Sequence, residues 1–424
     1  MIAVLIIVFI GCLLLRFPIA FSLGLSCLAY VVVADISLII LPMKMYSGID
    51  VFVLLSVPGF ILAGNLMNHG GLTEKIIGFC NHLFGHIRGG LALANIGASM
   101  LFAGISGTAV SDTASIGSVM IPAMKKEGYD EGFSCAITAA SSTVGPIIPP
   151  SVPMIIAATL SGLSVGKLFL AGAIPGLLLG IGLMSVTYYL AVQRKYPKHP
   201  RSSFRQILRS FSNTFWALLM MFIILFGIIG GVFTPTEASI IAVVYAMLVG
   251  VLVYKKLNLQ NISSIMVDSM KTTASLMVLI GFANLFGWIL ITERFPQLIS
   301  NEILAFTDNK YLVLLLINLV LIFVGSFMET IAALLILFPI LLKVALSVGV
   351  DPIHFAVIAV LNLIIGLTTP PVGVCLFVAS GIGKISIGKI SREVLPFLLV
   401  SLAVLTLVTL IPELSLWLPR MFMG

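Results

Sequence analysis

The chain has 424 residues, of which 60% are hydrophobic and 9% charged, and its formal net charge is +7. So apolar a composition excludes a soluble globular protein of this size. The basic excess does not indicate nucleic acid either, because the Lys and Arg residues sit in short loops between apolar runs, where they set topology.

Apolar runs long enough to span roughly 30 Å of hydrocarbon recur from end to end. In the first half, crossings are expected over residues 1–15, 17–41, 51–67, 132–160 and 168–192. The first run is short, and it lacks the basic flank and small-residue cleavage site of a signal peptide, so it reads as a retained segment. The polar stretch 193–210 carries Arg194, Lys195, Lys198, Arg201, Arg205 and Arg209 and reads as a cytoplasmic linker. It divides the chain into halves 1–192 and 211–424. The second half repeats the order of the first, with crossings expected over 211–231, 233–254, 271–292, 354–381 and 392–412. Two stretches, 91–124 and 311–346, are left over, and each breaks near its middle. They read as re-entrant hairpins, each preceded by an amphipathic stretch (72–88 and 293–310) suited to lying along the interface.

A shift of 217 to 222 positions aligns rare residues of the two halves. Pro18 meets Pro235, Asp112 and Thr113 meet Glu329 and Thr330, and Gly128 and Asp130 meet Gly349 and Asp351. Gly145, Pro149 and Pro150 meet Gly366, Pro370 and Pro371. With the hairpins returning to their starting side, 17 of the 23 Lys and Arg residues fall inside. Five crossings per half is an odd number, so the halves must sit upside down relative to each other. The expected fold is therefore an all-α polytopic membrane protein, an inverted repeat of two five-crossing halves. Each half holds one re-entrant hairpin and one broken helix.

Polar residues within the apolar segments concentrate at four places. The first hairpin holds Ser106, Gly107, Thr108, Ser111 and Asp112, and the broken helix 132–160 holds Ser141, Ser142, Thr143 and Gly145. The second hairpin holds Gly325, Ser326, Met328, Glu329 and Thr330, and the broken helix 354–381 holds Gly366, Thr368 and Thr369. Pro146, Pro149, Pro150, Pro370 and Pro371 remove helix donors and free carbonyls that lipid cannot satisfy. Carbonyls with Ser and Thr hydroxyls form the hard oxygen shell of a small cation, so each half is expected to hold one sodium site. The helix breaks, together with Val374, are expected to border a cavity where half-helix N-termini face a substrate carboxylate. Asp112 and Glu329 are ionisable groups inside membrane segments. Each serves either coupling or the shape of its hairpin tip, by accepting backbone N–H groups.

Other motifs point away from enzymatic chemistry. Gly383 to Lys389 has phosphate-loop spacing, but Ile390 stands where Ser or Thr must reach magnesium. Ser106 with His354 would suggest an intramembrane serine protease, yet the histidine lies at the mouth of a crossing, away from the expected depth of Ser106. His82, His86 and Cys80 lack a further metal ligand and read as an interfacial polar face. The five cysteines show no paired spacing.

The residues resemble a known family, the DctM-type large membrane subunit of tripartite ATP-independent periplasmic (TRAP) transporters. The segments that carry the resemblance are 58–67, 106–112 with 121–124, 145–151, 233–238 and 366–373. It implies an elevator transporter of the bacterial inner membrane, driven by sodium and without other cofactors. It also implies two partners, a small four-helix membrane subunit and a periplasmic binding protein. The latter delivers a carboxylated solute of the sialic acid or C4-dicarboxylate class. This chain begins at the large subunit's first segment, so the small subunit is expected to be separate. A self-sufficient anion symporter of similar architecture is the alternative.

Overall fold

The structure is a computed structural model. It describes residues 1–106, 108–298, 302, 307 and 309–424, without the side chains of residues 103–106 and 259. Every described element is a helix. Among the described residues, seven helices are long and apolar enough to cross a membrane: Phe52–His69, Val165–Gln193, Phe204–Ile229, Pro235–Val253, Gln260–Thr292, Thr330–Ser347 and Ile387–Leu410. Shorter apolar helices accompany them, beginning with Ile2–Leu14 and Ile19–Val33.

Residues that the sequence shift aligns do the same local work in both halves. Asp130 starts the helix Glu131–Ser142 by accepting the N–H groups of Gly132 and Phe133 at 2.7 and 3.2 Å. Asp351 starts Pro352–Gly366 in the same way, through Ile353 and His354 at 2.8 and 3.3 Å. Each carboxylate satisfies donors that a helix N-terminus leaves open. Just before these caps, Gly128 and Gly349 adopt φ of +84° and +74°, a left-handed conformation that glycine enters without a side-chain clash. Both broken segments contain a cis Pro–Pro bond, at 149–150 and 370–371.

Packing sorts the helices into two bundles. The frame bundle gathers Ile2–Leu14, Ile19–Val33, Ile40–Ile49, Ser56–His69, Phe204–Ile229, Pro235–Leu248 and Leu259–Thr292. The hairpin bundle holds two helical hairpins, Gly90–Ser106 with Ala109–Lys126 and Lys310–Gly325 with Thr330–Ser347. It also holds the broken segments Glu131–Ser142/Val152–Ser161 and Pro352–Gly366/Val374–Gly383, flanked by Val165–Gln193 and Ile387–Leu410. Within it the halves exchange partners. Ala109–Lys126 packs on Val374–Gly383, and Thr330–Ser347 packs on Val152–Ser161. Each hairpin thus leans on the far piece of the other half's broken segment, as a twofold relation between the halves requires.

Several boundaries differ from the sequence reading: the crossing read over 17–41 ends at Val33, with Ile40–Ile49 a separate helix after it, and the one read over 392–412 starts at Ile387. Phe204–Ile229 begins inside the stretch read as linker, because Ser203 and Gln206 form a reciprocal capping box there. Leu259–Thr292 likewise starts well before residue 271, with the Asn258 side chain accepting from the Asn261 N–H at 2.8 Å. The non-helical remainder of the linker is bound to the turn that leads into the first hairpin. Gly89 N–H donates to the Pro197 carbonyl at 3.2 Å, and His199 N–H donates to the Gly85 carbonyl at 2.9 Å. His82 Nδ1 lies 2.9 Å from Ser202 Oγ, which gives that histidine a polar partner across the same seam. The amphipathic arm Leu72–Phe84 buries Leu72, Ile76, Ile77 and Cys80 and joins the two bundles by packing on both Phe204–Ile229 and Gly90–Ser106. Much of its counterpart at 293–310 lies outside the described residues.

Candidate functional site

Each half builds a polar centre where a hairpin tip meets the break of a membrane segment. In the first, Asp112 is fully buried in the first turn of Ala109–Lys126 and donates its N–H to the Thr108 carbonyl at 3.1 Å. Its carboxylate lies against Gly145, where a β-carbon would overlap Asp112 Oδ2. Thr113 Oγ1 donates to the Ala109 carbonyl at 2.9 Å. Opposite, Ser142 donates to the Thr138 carbonyl at 2.7 Å and Thr143 to the Ala140 carbonyl at 2.6 Å. Ser141 donates to the Thr138 carbonyl at 3.1 Å and accepts from Ser99 at 3.0 Å. With their protons turned into the helix, these hydroxyls keep lone pairs for a cation. The Ser106 side chain and Gly107 lie outside the described residues.

The second centre is held by backbone. A β-carbon on Gly366 would come within 2.5 to 2.9 Å of the Gly325 backbone, so the tip and the break touch with no side chain between them. The Ser326 carbonyl accepts the Gly373 N–H at 3.0 Å, while Ser326 Oγ donates to the Phe323 carbonyl at 2.7 Å. Thr368 and Thr369 both donate to the Ile365 carbonyl, at 2.9 and 3.0 Å. Met328, at the tip, is half-buried. The Thr330 hydroxyl is buried and has no hydrogen-bond partner among the described residues.

The sequence shift equates Asp112 with Glu329, but their positions in the helix differ by about one turn. Glu329 precedes Thr330–Ser347 as its N-cap and accepts the N–H groups of Ile331 and Ala332 at 2.8 and 3.3 Å. The shape-holding alternative therefore describes what Glu329 does in this conformation. Behind each centre lies a buried amide. Asn95 donates to Thr138 at 2.7 Å in the first half; in the second, Asn362 donates to Asn318 Oδ1 at 2.8 Å.

Between the bundles lies a cavity of about 440 Å³ into which both tips project. Thr108, Ser111, Glu329 and Val374 line it from the hairpin bundle, and Asn65 and Thr272 line it from the frame. Asn65 is anchored by a 2.8 Å hydrogen bond from its amide to Ser269. Of the group expected to border the substrate, Val374 reaches the cavity. Pro146, Pro149, Pro150, Pro370 and Pro371 stay at the breaks and are not among its described lining residues. The frame wall was not assigned from sequence. Asn65, one polar residue in the apolar helix Ser56–His69, was the available signal. His354, the other half of the protease reading, has its Nδ1 2.7 Å from Ser415 Oγ.

Residues 6–414 match the family described as "Tripartite ATP-independent periplasmic transporter, DctM component". The chain belongs to this family. It is 43% identical over 416 residues to the sialic acid TRAP transporter large permease protein SiaM of Vibrio cholerae, covering 98% of this chain and 97% of that one. It is 42% identical to the C4-dicarboxylate TRAP transporter large permease protein DctM of Pseudomonas aeruginosa, over 94% of each chain. Identity to the 2,3-diketo-L-gulonate TRAP transporter large permease protein YiaN of Escherichia coli is 34%, over 96% of this chain and 97% of that one. Two solved transporters share the fold. MtrF of Neisseria gonorrhoeae aligns with a TM-score of 0.65 at 13% identity, over 89% of this chain and 85% of that one. YdaH of Alcanivorax borkumensis aligns at 0.61 and 16%, over 87% and 86%. As a TRAP large permease, the chain is a multi-span membrane subunit for solute uptake.

Proposed function

We propose that this permease imports a carboxylated small solute, of the sialic acid or C4-dicarboxylate class, in symport with sodium across the bacterial inner membrane. The linker then faces the cytoplasm. A periplasmic binding protein delivers the solute, and a separate small membrane subunit completes the transporter. The hairpin bundle moves past the frame as an elevator, with the cavity between them carrying the cargo.

The observation that carries this reading is the charge of the cavity. Its described lining holds Asn65, Thr108, Ser111 and Thr272 as neutral polar groups and Glu329 as an acid, with no Lys or Arg. An organic anion gains little beside a carboxylate unless a cation stands close by. Sodium held among the Ser141–Gly145 and Gly366–Thr369 oxygens would supply that charge, and the N-terminus of Ala109–Lys126 adds a partial positive one. Solute binding then depends on sodium binding first, which is the physical basis of symport. The volume of the cavity is in the range of small-molecule sites.

The test is uptake into vesicles that contain the chain, the small subunit and the binding protein. Uptake should require all three components and a sodium gradient. In Thr369→Ala, loss of one oxygen from the shell should weaken apparent sodium affinity by roughly ten- to hundredfold while leaving insertion unchanged. Full uptake driven by a proton gradient with potassium in place of sodium would sink the coupling reading, and full activity of the chain alone would sink the tripartite one.

A further inference from the structure

A second polar cavity, of about 370 Å³, shares no lining residue with the solute cavity and lies where three frame elements end on the linker side. Its floor is the bend at Gly70 and Gly71 between Ser56–His69 and the arm Leu72–Phe84. Its walls are the start of the apolar run of Phe204–Ile229, at Ser212 to Trp216, and the exit from Pro235–Val253, at Tyr254 and Lys256. Gly71 takes φ +82° there, and the aliphatic stem of Lys256 packs beside it, with Cγ 3.2 Å from where a β-carbon would stand. Two lysines line the cavity. Lys256 is only loosely engaged by Glu74, at 3.6 Å with both side chains more than half exposed, and among the described residues Lys75 has no ion-pair partner.

The cavity is placed and charged for an amphiphile. Arg209 and Arg205 lie one and two turns before Asn213 on the same helix stripe and extend the basic field away from the membrane core. On the other side, Phe215, Leu252 and Val253 are 41, 65 and 42% exposed and continue the surface upward as an apolar wall. Trp216 and Tyr254 stand at the boundary, where aromatic side chains with a polar end prefer to sit. A soluble phosphate would use the lysines and leave the apolar wall bare. A phospholipid uses both, and basic pockets between membrane helices on this side suit anionic headgroups.

We propose that this cavity binds the headgroup phosphate of an anionic phospholipid, with Lys75 and Lys256 as its ligands and the acyl chains along Leu252 and Phe215. The site straddles the base of the arm. Lys75 stands in the arm's first turns, which are tied to the frame by Thr214 Oγ1 donating to the Lys75 carbonyl at 3.1 Å, and Lys256 stands on the far side of the bend. The lipid would therefore fix the end of the arm that belongs to the frame.

Native mass spectrometry of the full chain in mixed micelles, titrated with phosphatidylglycerol or phosphatidylcholine, tests the site. The wild type should bind phosphatidylglycerol roughly tenfold more tightly than phosphatidylcholine, the gain expected from two lysines near an anionic headgroup. The double variant Lys75→Gln/Lys256→Gln should bring the ratio to within about twofold, while Lys384→Gln, exposed on the hairpin bundle, should leave it unchanged. All three proteins should elute as the same monodisperse species. Equal binding of the two lipids by the wild type, or an undiminished preference in the double variant, would overturn the proposal. So would complete displacement of the lipid by inorganic phosphate, which would mark a site for a soluble anion, or its loss on assembly with the small subunit, which would mark a protein interface.

Discussion

The two hairpin tips occupy matching places in the repeat, yet they are closed by different means. At the first tip a side chain fills the contact, since the Asp112 carboxylate lies on Gly145. At the second, backbone meets backbone at Gly325 and Gly366, and the acid has moved out of the contact to cap its own helix. The difference shows that the repeat conserves where the chain breaks and where oxygens gather, and leaves open which group seals the joint. A side chain can rotate. Two apposed backbones cannot, so the second joint is expected to be the stiffer.

The largest effect that would sharpen this contrast is expected from Gly366→Ala. Its β-carbon meets main-chain atoms of Gly325 across the joint, and overpacking of this kind typically costs about 1 to 3 kcal/mol. The monodisperse fraction after graded heating in detergent should fall clearly below wild type; an unchanged curve would mean that the second joint yields as easily as the first.

A smaller loss, roughly 1 kcal/mol at the low end of the same range, is expected from Gly145→Ala, because Asp112 can turn away from the new methyl group. This variant should melt nearly as wild type and still show altered sodium dependence of uptake, since Asp112 is displaced. If it melted at or below Gly366→Ala, the contrast between the joints would be broken.

The capping role of Glu329 gives a third test. Glu329→Ala removes the acceptor for two N–H groups and should cost about 1 kcal/mol, whereas Glu329→Gln keeps an acceptor oxygen and should cost less than half of that. Equal losses in both would show that the charge of Glu329, and not its cap, holds the tip. The smallest effect should be on topology. An impermeant thiol reagent applied to intact cells should miss Lys198→Cys and reach Gln297→Cys, without change in expression, because both positions are exposed and four of the five native thiols are buried. The opposite pattern would invert the frame in the membrane and place both joints on the other side of the cavity.

Much of this architecture could be read from sequence because its causes are local. Apolar length dictates a membrane helix, and a lone Asp before a helix or a Gly before that Asp dictates a cap and a left-handed turn. The aligned pairs Asp130 with Asp351 and Gly128 with Gly349 therefore perform identical tasks in the structure. Paired prolines end helices wherever they stand. The four polar segments follow from the same reasoning.

Other features were decided only when distant segments packed. Nothing local tells Ala109–Lys126 to lean on Val374–Gly383 of the other half as well as on Glu131–Ser142 of its own, or brings Asn65 and Thr272 to the cavity opposite Glu329. Asp112 and Glu329 align in sequence yet stand at different places, one inside the first turn of its helix and the other just before it, because packing at each joint sets where the helix begins. Lys75 and Lys256 form one pocket only after the ends of three frame elements meet. Caps and hydropathy act within a turn or two of helix and are written in adjacent residues. Partner choice between bundles is set by shape and burial summed over surfaces that the chain brings together from opposite halves.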